Sequence, residues 1–280
     1  MNKVLLKTFV ENALKEDLGD GDHSSLACIP ENAIGKVQLL VKEQGVLAGV
    51  EAGIAIFREV EPEIKIEQFI EDGANIKPGD IVFTVEGKTR SLLKTERLVL
   101  NVMQRMSGIA TRTRTYADKI KDLHTKVLDT RKTTPGMRML EKEAVLIGGG
   151  VNHRMGLYDM IMLKDNHIDF AGGIEKAVKA VQTYLKSINK NLKIEVEVRN
   201  MDELQEVLRV GGIHRIMLDN FTPEATSLAL KEIDGKYETE SSGGITLETL
   251  RDYAVTGVDY ISVGALTHHI KSLDLSLKAI

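Results

Sequence analysis

Cysteine is almost missing from this chain: Cys28 stands alone among 280 residues. One thiol cannot close an internal disulfide, which excludes a disulfide-framework fold and suits a reducing cytoplasm, the expected location. Long apolar runs are missing too. No stretch approaches the ~20 residues of a membrane span, and the run of most concern, Ala144 to Ile147, ends in three glycines. The opening MNKVLLKTFVENALKEDLGD has no extended apolar segment before its acids begin, so a signal peptide is not expected. Basic charge is not in excess: 37 Lys+Arg face 41 Asp+Glu, a net charge of -4. That balance argues against a general nucleic-acid binder while leaving room for a local basic pocket that takes a small anion. Low-complexity segments and fixed-period repeats are absent as well.

What is present is the composition of a globular protein, 42% hydrophobic and 28% charged. At ~150 residues per domain the length suggests about two domains, and it suffices to bury a core without disulfide or metal staples. The first ~90 residues read as a small α+β unit. Val4, Leu5, Phe9 and Leu14 keep helical spacing, GDGDHSS at 19–25 reads as a loop, and KVQLLVKEQGVLA at 36–48 reads as strands broken at Gly45. A helix is expected from Glu51 to Val60, then strands over 63–70 and after the turn Lys77-Pro78-Gly79-Asp80. A long helical pattern runs from Ser91 to Lys121, with a break expected at Ser107-Gly108. The domain boundary is placed on it, giving domains 1–105 and 106–267, with the tail 268–280 expected to rejoin the first.

Beyond it, short apolar strands alternate with helical patterns. The strands are Val127-Leu128, Met160 to Leu163, Ile194 to Val198, Arg215 to Leu218, Tyr237 to Glu240 and Tyr260 to Val263; helices are expected near 137–147, 173–188, 201–210, 223–232 and 246–256. The alternation argues for a parallel sheet, closed as a barrel or open and doubly wound. With about 165 residues available against the ~200 or more of a full eight-stranded barrel, an incomplete barrel of six or seven strands is the economical reading.

In such barrels the C-terminal strand ends face the active site. Here the strands carry Asp129-Thr130-Arg131-Lys132, Lys164-Asp165-Asn166-His167, Glu195 and Glu197 ending in Arg199, Asp219-Asn220, Glu240-Ser241-Ser242-Gly243-Gly244, and Gly264 followed by His268 and His269. The residues are sorted chemically: two ends offer cations, two carboxylates and two glycines. Glycines after the last strands can cradle phosphate through backbone N–H groups, and serve equally as plain turn residues. Glu197 and Asp219 could hold a divalent metal or ribose hydroxyls, or form strand-end ion pairs with Lys164 or Arg131. Gly148-Gly149-Gly150 lacks the strand–turn–helix frame of a dinucleotide site and reads as a helix end followed by a mobile loop that carries His153 and Arg154 to the rim. From 129 to 165 six cations meet five acids, so placement rather than bulk charge must make any anion site. EDGANIKPGDIVFTVEG at 71–87 has the look of a lipoyl or biotinyl carrier but no suitably placed lysine, and reads as β-turn-β scaffold.

Several stretches together are specific: TERLVLNVMQRMSGIAT at 95–111, DTRKTTPGMRMLEKEAVLIGGGVNHRMGLYDMIMLKDNH at 129–167, EVEV at 195–198, LDN at 218–220, ESSGGI at 240–245 and TGVDYISVGALTHH at 256–269. The chain resembles the quinolinate phosphoribosyltransferase family over essentially its whole length. The resemblance implies an N-terminal open α/β sandwich joined to an incomplete α/β barrel. It implies transfer of phosphoribose from phosphoribosyl pyrophosphate to quinolinate with loss of CO2, giving nicotinate mononucleotide for NAD biosynthesis. Mg2+ is implied as cofactor, and a homodimer or larger homo-oligomer with a shared active site as the assembly. Carried over by position, Arg131, His153, Arg154 and Lys164 resemble the pocket for the two carboxylates, and Arg97 the arginine given to a second copy's pocket. Lys132 and His268 resemble residues near the co-substrate phosphates, Glu197 and Asp219 those holding Mg2+ or ribose, and Ser242, Gly243 and Gly264 the 5′-phosphate cradle. Lys132, Lys164, Glu197 and Asp219 are the expected catalytic set.

Three rivals share parts of this pattern: a phosphoribosyltransferase of the same fold acting on another pyridine or heteroaromatic acid, a non-catalytic phosphate or nucleotide sensor, and an unrelated phosphate-binding barrel enzyme. Cations enough for two carboxylates separate the first, and the acids Glu197 and Asp219 together with His153 separate the second.

Overall fold

The computed structural model describes residues 2–280, which form two compact units. The first comprises residues up to Arg114 together with Lys132–Gly149 and Ala265–Ile280. The second comprises Thr115–Arg131 and Gly150–Gly264. The division falls later on the long helix than residue 105, and 132–149, expected in the barrel unit, belongs to the first.

The first unit holds strands β1 (Ile34–Val41), β2 (Gly45–Val46), β3 (Lys65–Gln68), β4 (Asn75–Ile76) and β5 (Ile81–Lys88). β1 lies between β5 and the C-terminal strand Leu275–Ala279, and β3 edges β5, all antiparallel. β2 and β4 form a separate pair. The tail is therefore strand where it pairs, preceded by the short helix Ala265–His268. Val50–Val60 is a helix whose Phe57 meets Phe83 of β5 edge-on at 6.1 Å, both fully buried.

Two expectations fail here for local reasons. The 19–25 loop gives way to a helix, His23–Cys28, because Asp22 accepts the Ser25 N–H at 3.1 Å and caps it. The helix Thr89–Lys119 runs unbroken through Ser107-Gly108. Ser107 is buried and bonds both the N–H and the carbonyl of Ala48, at 3.0 and 3.1 Å. Gly108 lets the Lys271–Ser272 backbone approach so closely that a Cβ would collide with the Lys271 carbonyl. Both residues serve contacts across the helix, and helical hydrogen bonding absorbs the propensity cost of one glycine, ~1 kcal/mol.

The second unit is a parallel sheet with order β6–β11–β10–β9–β8–β7, built from β6 (Lys126–Leu128), β7 (Ile161–Leu163), β8 (Ile194–Val198), β9 (Arg215–Asp219), β10 (Glu238–Ser242) and β11 (Tyr260–Ser262). Beyond β6, Val151 adds an isolated parallel bridge to Leu128, so the barrel has six strands and the start of a seventh. Helices Ile174–Ser187, Met201–Val210 and Pro223–Ile233 fill the crossovers. Alternation sorts the strands: Ile194, Val196, Val198, Ile216 and Leu218 pack with Val178, Leu204, Val207 and Ala229 of those helices, leaving Glu195, Glu197, Arg215, Met217 and Asp219 on the opposite, interior face. Asn200 and Thr222 cap the second and third helices. An unexpected helix, Asp165–Ala171, follows β7, and its His167 Nδ1 reaches back to accept the N–H of the capping residue Lys164 at 3.1 Å. The expected helix 246–256 is only Leu250–Ala254, because Gly243 and Gly244 take positive φ and Thr246 donates its N–H to Thr249 Oγ1. No helix among the described residues is long and apolar enough to cross a membrane.

Replacing Gly108 by Ala should lower the melting temperature, by about 1–3 kcal/mol of stability if the tail must shift to make room. Calorimetry of Gly108→Ala against the unsubstituted protein tests this; an unchanged melting point would show that the approach of Lys271 is loose.

Candidate active site

The interior of the barrel unit is ionic. At its lower level the Arg215 guanidinium lies 4.3 Å over the Tyr260 ring and contacts Glu238 at 2.9 Å and Glu240 at 3.4 Å. Above it His153 Nε2 stands 2.9 Å from Glu195 Oε2 and 3.4 Å from Glu240 Oε2, and all three side chains are closed to solvent or nearly so. His153 arrives there from the segment after the three glycines. That segment is tied down, contrary to the mobile loop expected: Val151 N–H donates to the Val127 carbonyl, Asp129 N–H to the Val151 carbonyl, and His153 N–H to Asp129 Oδ1 at 2.8 Å.

Burial disfavours charge on the His153 ring, and the carboxylates of Glu195 and Glu240 more than offset it, raising its affinity for protons. A second proton could sit only on Nδ1, where the Arg154 N–H already donates from 2.7 Å. The hydrogen bond decides the state: the ring carries its proton on Nε2, toward the acids. Burial, and then the charge of Glu240, push the Glu195 carboxyl up to about 7. Burial works the same way on Glu240, yet His153, Ser262 and Arg215 together hold it below the ordinary range.

At the rim, Lys164 Nζ donates to Glu197 Oε2 at 3.2 Å, so the strand-end ion pair that the spacing allowed is present. Burial raises the Glu197 carboxyl, Lys164 offsets part of this, and the negative charges of Asp219 and Asp165 raise it further. Two acids in mutual repulsion fit a cation: a divalent ion takes one or two carboxylates and fills its other positions with phosphate and water. Asp219 also accepts from Asn220 Nδ2 at 2.7 Å. The backbone there is tight. Asn220 takes φ 57, its N–H donates to the Ser242 carbonyl at 2.8 Å, and a Cβ on Gly243, at φ 106, would collide with Asn220 Oδ1. Gly244, also at positive φ, faces open space. The cradle reading of 242–244 thus has a physical reason for glycine, although the short helix that follows gives little dipole.

Arg154 is half-buried, its Nη1 donating to the Met160 carbonyl at 3.1 Å. Burial lowers its affinity for its proton and the charge of Arg131 lowers it again, while Glu195 and Asp159 offset part of this. Arg131, His153, Arg154, Lys164, Glu197, Asp219, Ser242, Gly243 and Gly264 all fall in the barrel unit. Lys132, His268 and Arg97 fall in the first unit. There Thr267 Oγ1 donates to the Lys132 carbonyl at 2.7 Å, and the His268 ring lies 4.6 Å from that of His269. Burial, then the charges of His269, Lys132 and Arg112, hold His268 below the usual imidazole range, the mark of a cationic cluster. Arg105 ties this region together, reaching buried Glu141 at 2.7 Å, Thr134 Oγ1 at 2.7 Å and the Thr267 carbonyl at 3.2 Å. Arg97 is exposed on the helix Thr89–Lys119.

Sequence reasoning assigned no role to Asp129, Glu195, Arg215, Glu240 or Arg105. A signal existed for three of them: charged residues at alternate positions of an apolar strand, two before Glu197, four before Asp219 or on the next strand, must face the interior with them.

A parallel α/β sheet that carries cations, acids and glycines at its C-terminal strand ends is the frame of an α/β-barrel enzyme. The chain belongs to the quinolinate phosphoribosyltransferase family: residues 22–107 match its N-terminal domain and 109–278 its C-terminal domain. It is 46% identical over 288 residues to quinolinate phosphoribosyltransferase [decarboxylating] 1b of Nicotiana tabacum, covering 98% of this chain and 82% of that one. It is 40% identical over 277 residues to the probable nicotinate-nucleotide pyrophosphorylase [carboxylating] of Bacillus subtilis, covering 99% and 94%. The crystal structure of NadC from Streptococcus pyogenes superimposes with a TM-score of 0.92 at 38% identity, covering 100% of this chain and 99% of that one.

Because the folded Glu195 carboxyl sits at about 7 against an ordinary ~4.3, its contribution to stability is whole below the ordinary value and is lost as pH rises through 7. The loss is at most about 4 kcal/mol. Melting curves from pH 5 to 8 should therefore fall more steeply for the unsubstituted protein than for Glu195→Gln; parallel curves would remove the shift.

Proposed function

We propose that this chain joins quinolinate to phosphoribosyl pyrophosphate with loss of CO2, forming nicotinate mononucleotide and pyrophosphate. The observation that carries this reading is the match of both family domains along the chain, beside a rim on which the charge of Arg131 bears on Arg154. Like charges held together against repulsion are stable when an anion lies between them, and arginine matches carboxylates in bidentate fashion. With Lys164 they supply cations for the two carboxylates of quinolinate, more than a monocarboxylate such as nicotinate requires. Ser242, Gly243 and Gly264 take the 5′-phosphate, and Lys132 and His268 the remaining phosphates.

The C1–O bond to pyrophosphate breaks, its electron pair leaving with the oxygen, as the pyridine nitrogen supplies the pair for the new C1–N bond. Positive charge grows on the ribose, and Glu197 and Asp219 face it. The quaternised ring then accepts the electrons of the departing 2-carboxylate, and a proton from solvent takes the vacated carbon. Lys164 orients Glu197 and shields it from the substrate carboxylates. The rate comes from position and electrostatics and needs no covalent enzyme intermediate. Glu197 and Asp219 would hold Mg2+, which supplies neutralising charge to the pyrophosphate. Exposed Arg97 suits donation to a second copy's pocket, so we propose a homodimer or larger homo-oligomer; the lone cysteine supports a cytoplasmic setting.

The direct assay supplies quinolinate, phosphoribosyl pyrophosphate and Mg2+, with nicotinate in parallel. Stoichiometric CO2 and mononucleotide from quinolinate alone are expected, with loss of turnover in EDTA. Turnover of nicotinate, or of neither acid, would overturn the reading. Arg131→Ala should abolish quinolinate turnover, a fall of at least ~100-fold, with an unchanged melting curve; retained turnover would remove Arg131 from the pocket.

A further inference from the structure

The acids behind His153 have no part in the chemistry just described, yet the barrel buries them at considerable cost. Glu195 is wholly buried with neither carboxylate oxygen in a well-aligned hydrogen bond, its Oε2 2.9 Å from His153 Nε2, and Glu240 is wholly buried beside it. His153 Nε2 and one oxygen from each acid lie within 4.8 Å of one another, a set that could be taken for metal ligands. The spacing is too close for a tetrahedral ion, whose ligands ~2.0–2.1 Å away stand about 3.3 Å apart, whereas His153 Nε2 and Glu195 Oε2 are at 2.9 Å. Glu240 also already has the Arg215 guanidinium at 3.4 Å.

We infer that Glu195, backed by Glu240, is a positioning residue that acts through the His153 ring to aim Arg154. This rests on the proposed quinolinate reading. The ring is gripped on both edges: the acids face Nε2, and the Arg154 N–H donates to Nδ1 at 2.7 Å. Acids at Nε2 and the Arg154 N–H at Nδ1 hold the orientation of the ring, so the peptide of Arg154 is fixed and its guanidinium is set against the Met160 carbonyl at 3.1 Å. Asp129 fixes the other side of the same residue through the His153 N–H. His153 thus serves as a post beneath the anion pocket, and the acids beneath it choose which ring nitrogen bears the proton.

Two measurements test this. Nitrogen NMR of the His153 ring in the full-length protein, without substrate, should show Nδ1 unprotonated at pH 7. A protonated Nδ1 would overturn the inference whatever the enzyme turns over, and so would a stoichiometric bound metal in elemental analysis. In kinetics, Glu195→Ala should raise KM for quinolinate about tenfold while KM for phosphoribosyl pyrophosphate stays within about twofold. Glu195→Gln, which keeps an acceptor toward Nε2, should restore the quinolinate KM. Parallel rises in both KM values, or no rescue by Gln, would show general loosening and defeat the assignment. Should Glu195→Ala not fold, the NMR result and the Gln variant still decide it. Failure of the unsubstituted enzyme to use quinolinate would sink the functional reading and leave the ring state standing.

Discussion

A charge balance inside the barrel underlies the rest of this structure. Arg215 meets Glu238 and Glu240, Glu240 and Glu195 meet His153, and none of these side chains has free access to water except along the Glu238 edge. Removing one member of such a set strands the others without solvent, at a cost of ~3–5 kcal/mol. Apolar side chains fill many barrels of this type in layers, and the exchange of those layers for ions is weak support for stability. Its value lies in direction. An apolar layer would hold the rim up without telling His153 which way to face.

The rim inherits its order from that interior. Glu195 and Glu197 share one face of β8, so the strand that plants an acid under His153 plants another beside Lys164. Met217 and Asp219 continue the face of β9 that begins at Arg215, and Asp219 then reaches Asn220, whose backbone N–H meets Ser242 across the gap to β10. Asn220 and Gly243 accept left-handed backbone to make that approach. Strain of this sort collects where a ligand must be held close.

Much of this was legible in the sequence. The six strand segments came from apolar runs bounded by polar turns, and the rim residues followed from what succeeds each run, because parallel strands present their C-terminal ends together. The first unit was harder. Its sheet joins β1 to a strand from the far end of the chain, and no local pattern announces a partner so distant. Gly108 read as a break because local propensity cannot show the backbone of Lys271 lying against it. The helices at 23–28 and 165–171 depend on single hydrogen bonds, from Asp22 and from His167, that a periodicity too short to register does not reveal. The buried acids were visible as letters, but their service to a histidine some forty residues earlier or more is a matter of register between strands.

The place of the final strand also governs the order in which the molecule can be made. On a ribosome the first unit emerges first, but β1 keeps one edge open until residues 275–279 arrive after the whole barrel has been synthesised. An unpaired strand edge invites association with other chains. The nascent protein therefore carries an exposed edge for as long as the barrel is being made, and residues 275–279 close it when they arrive.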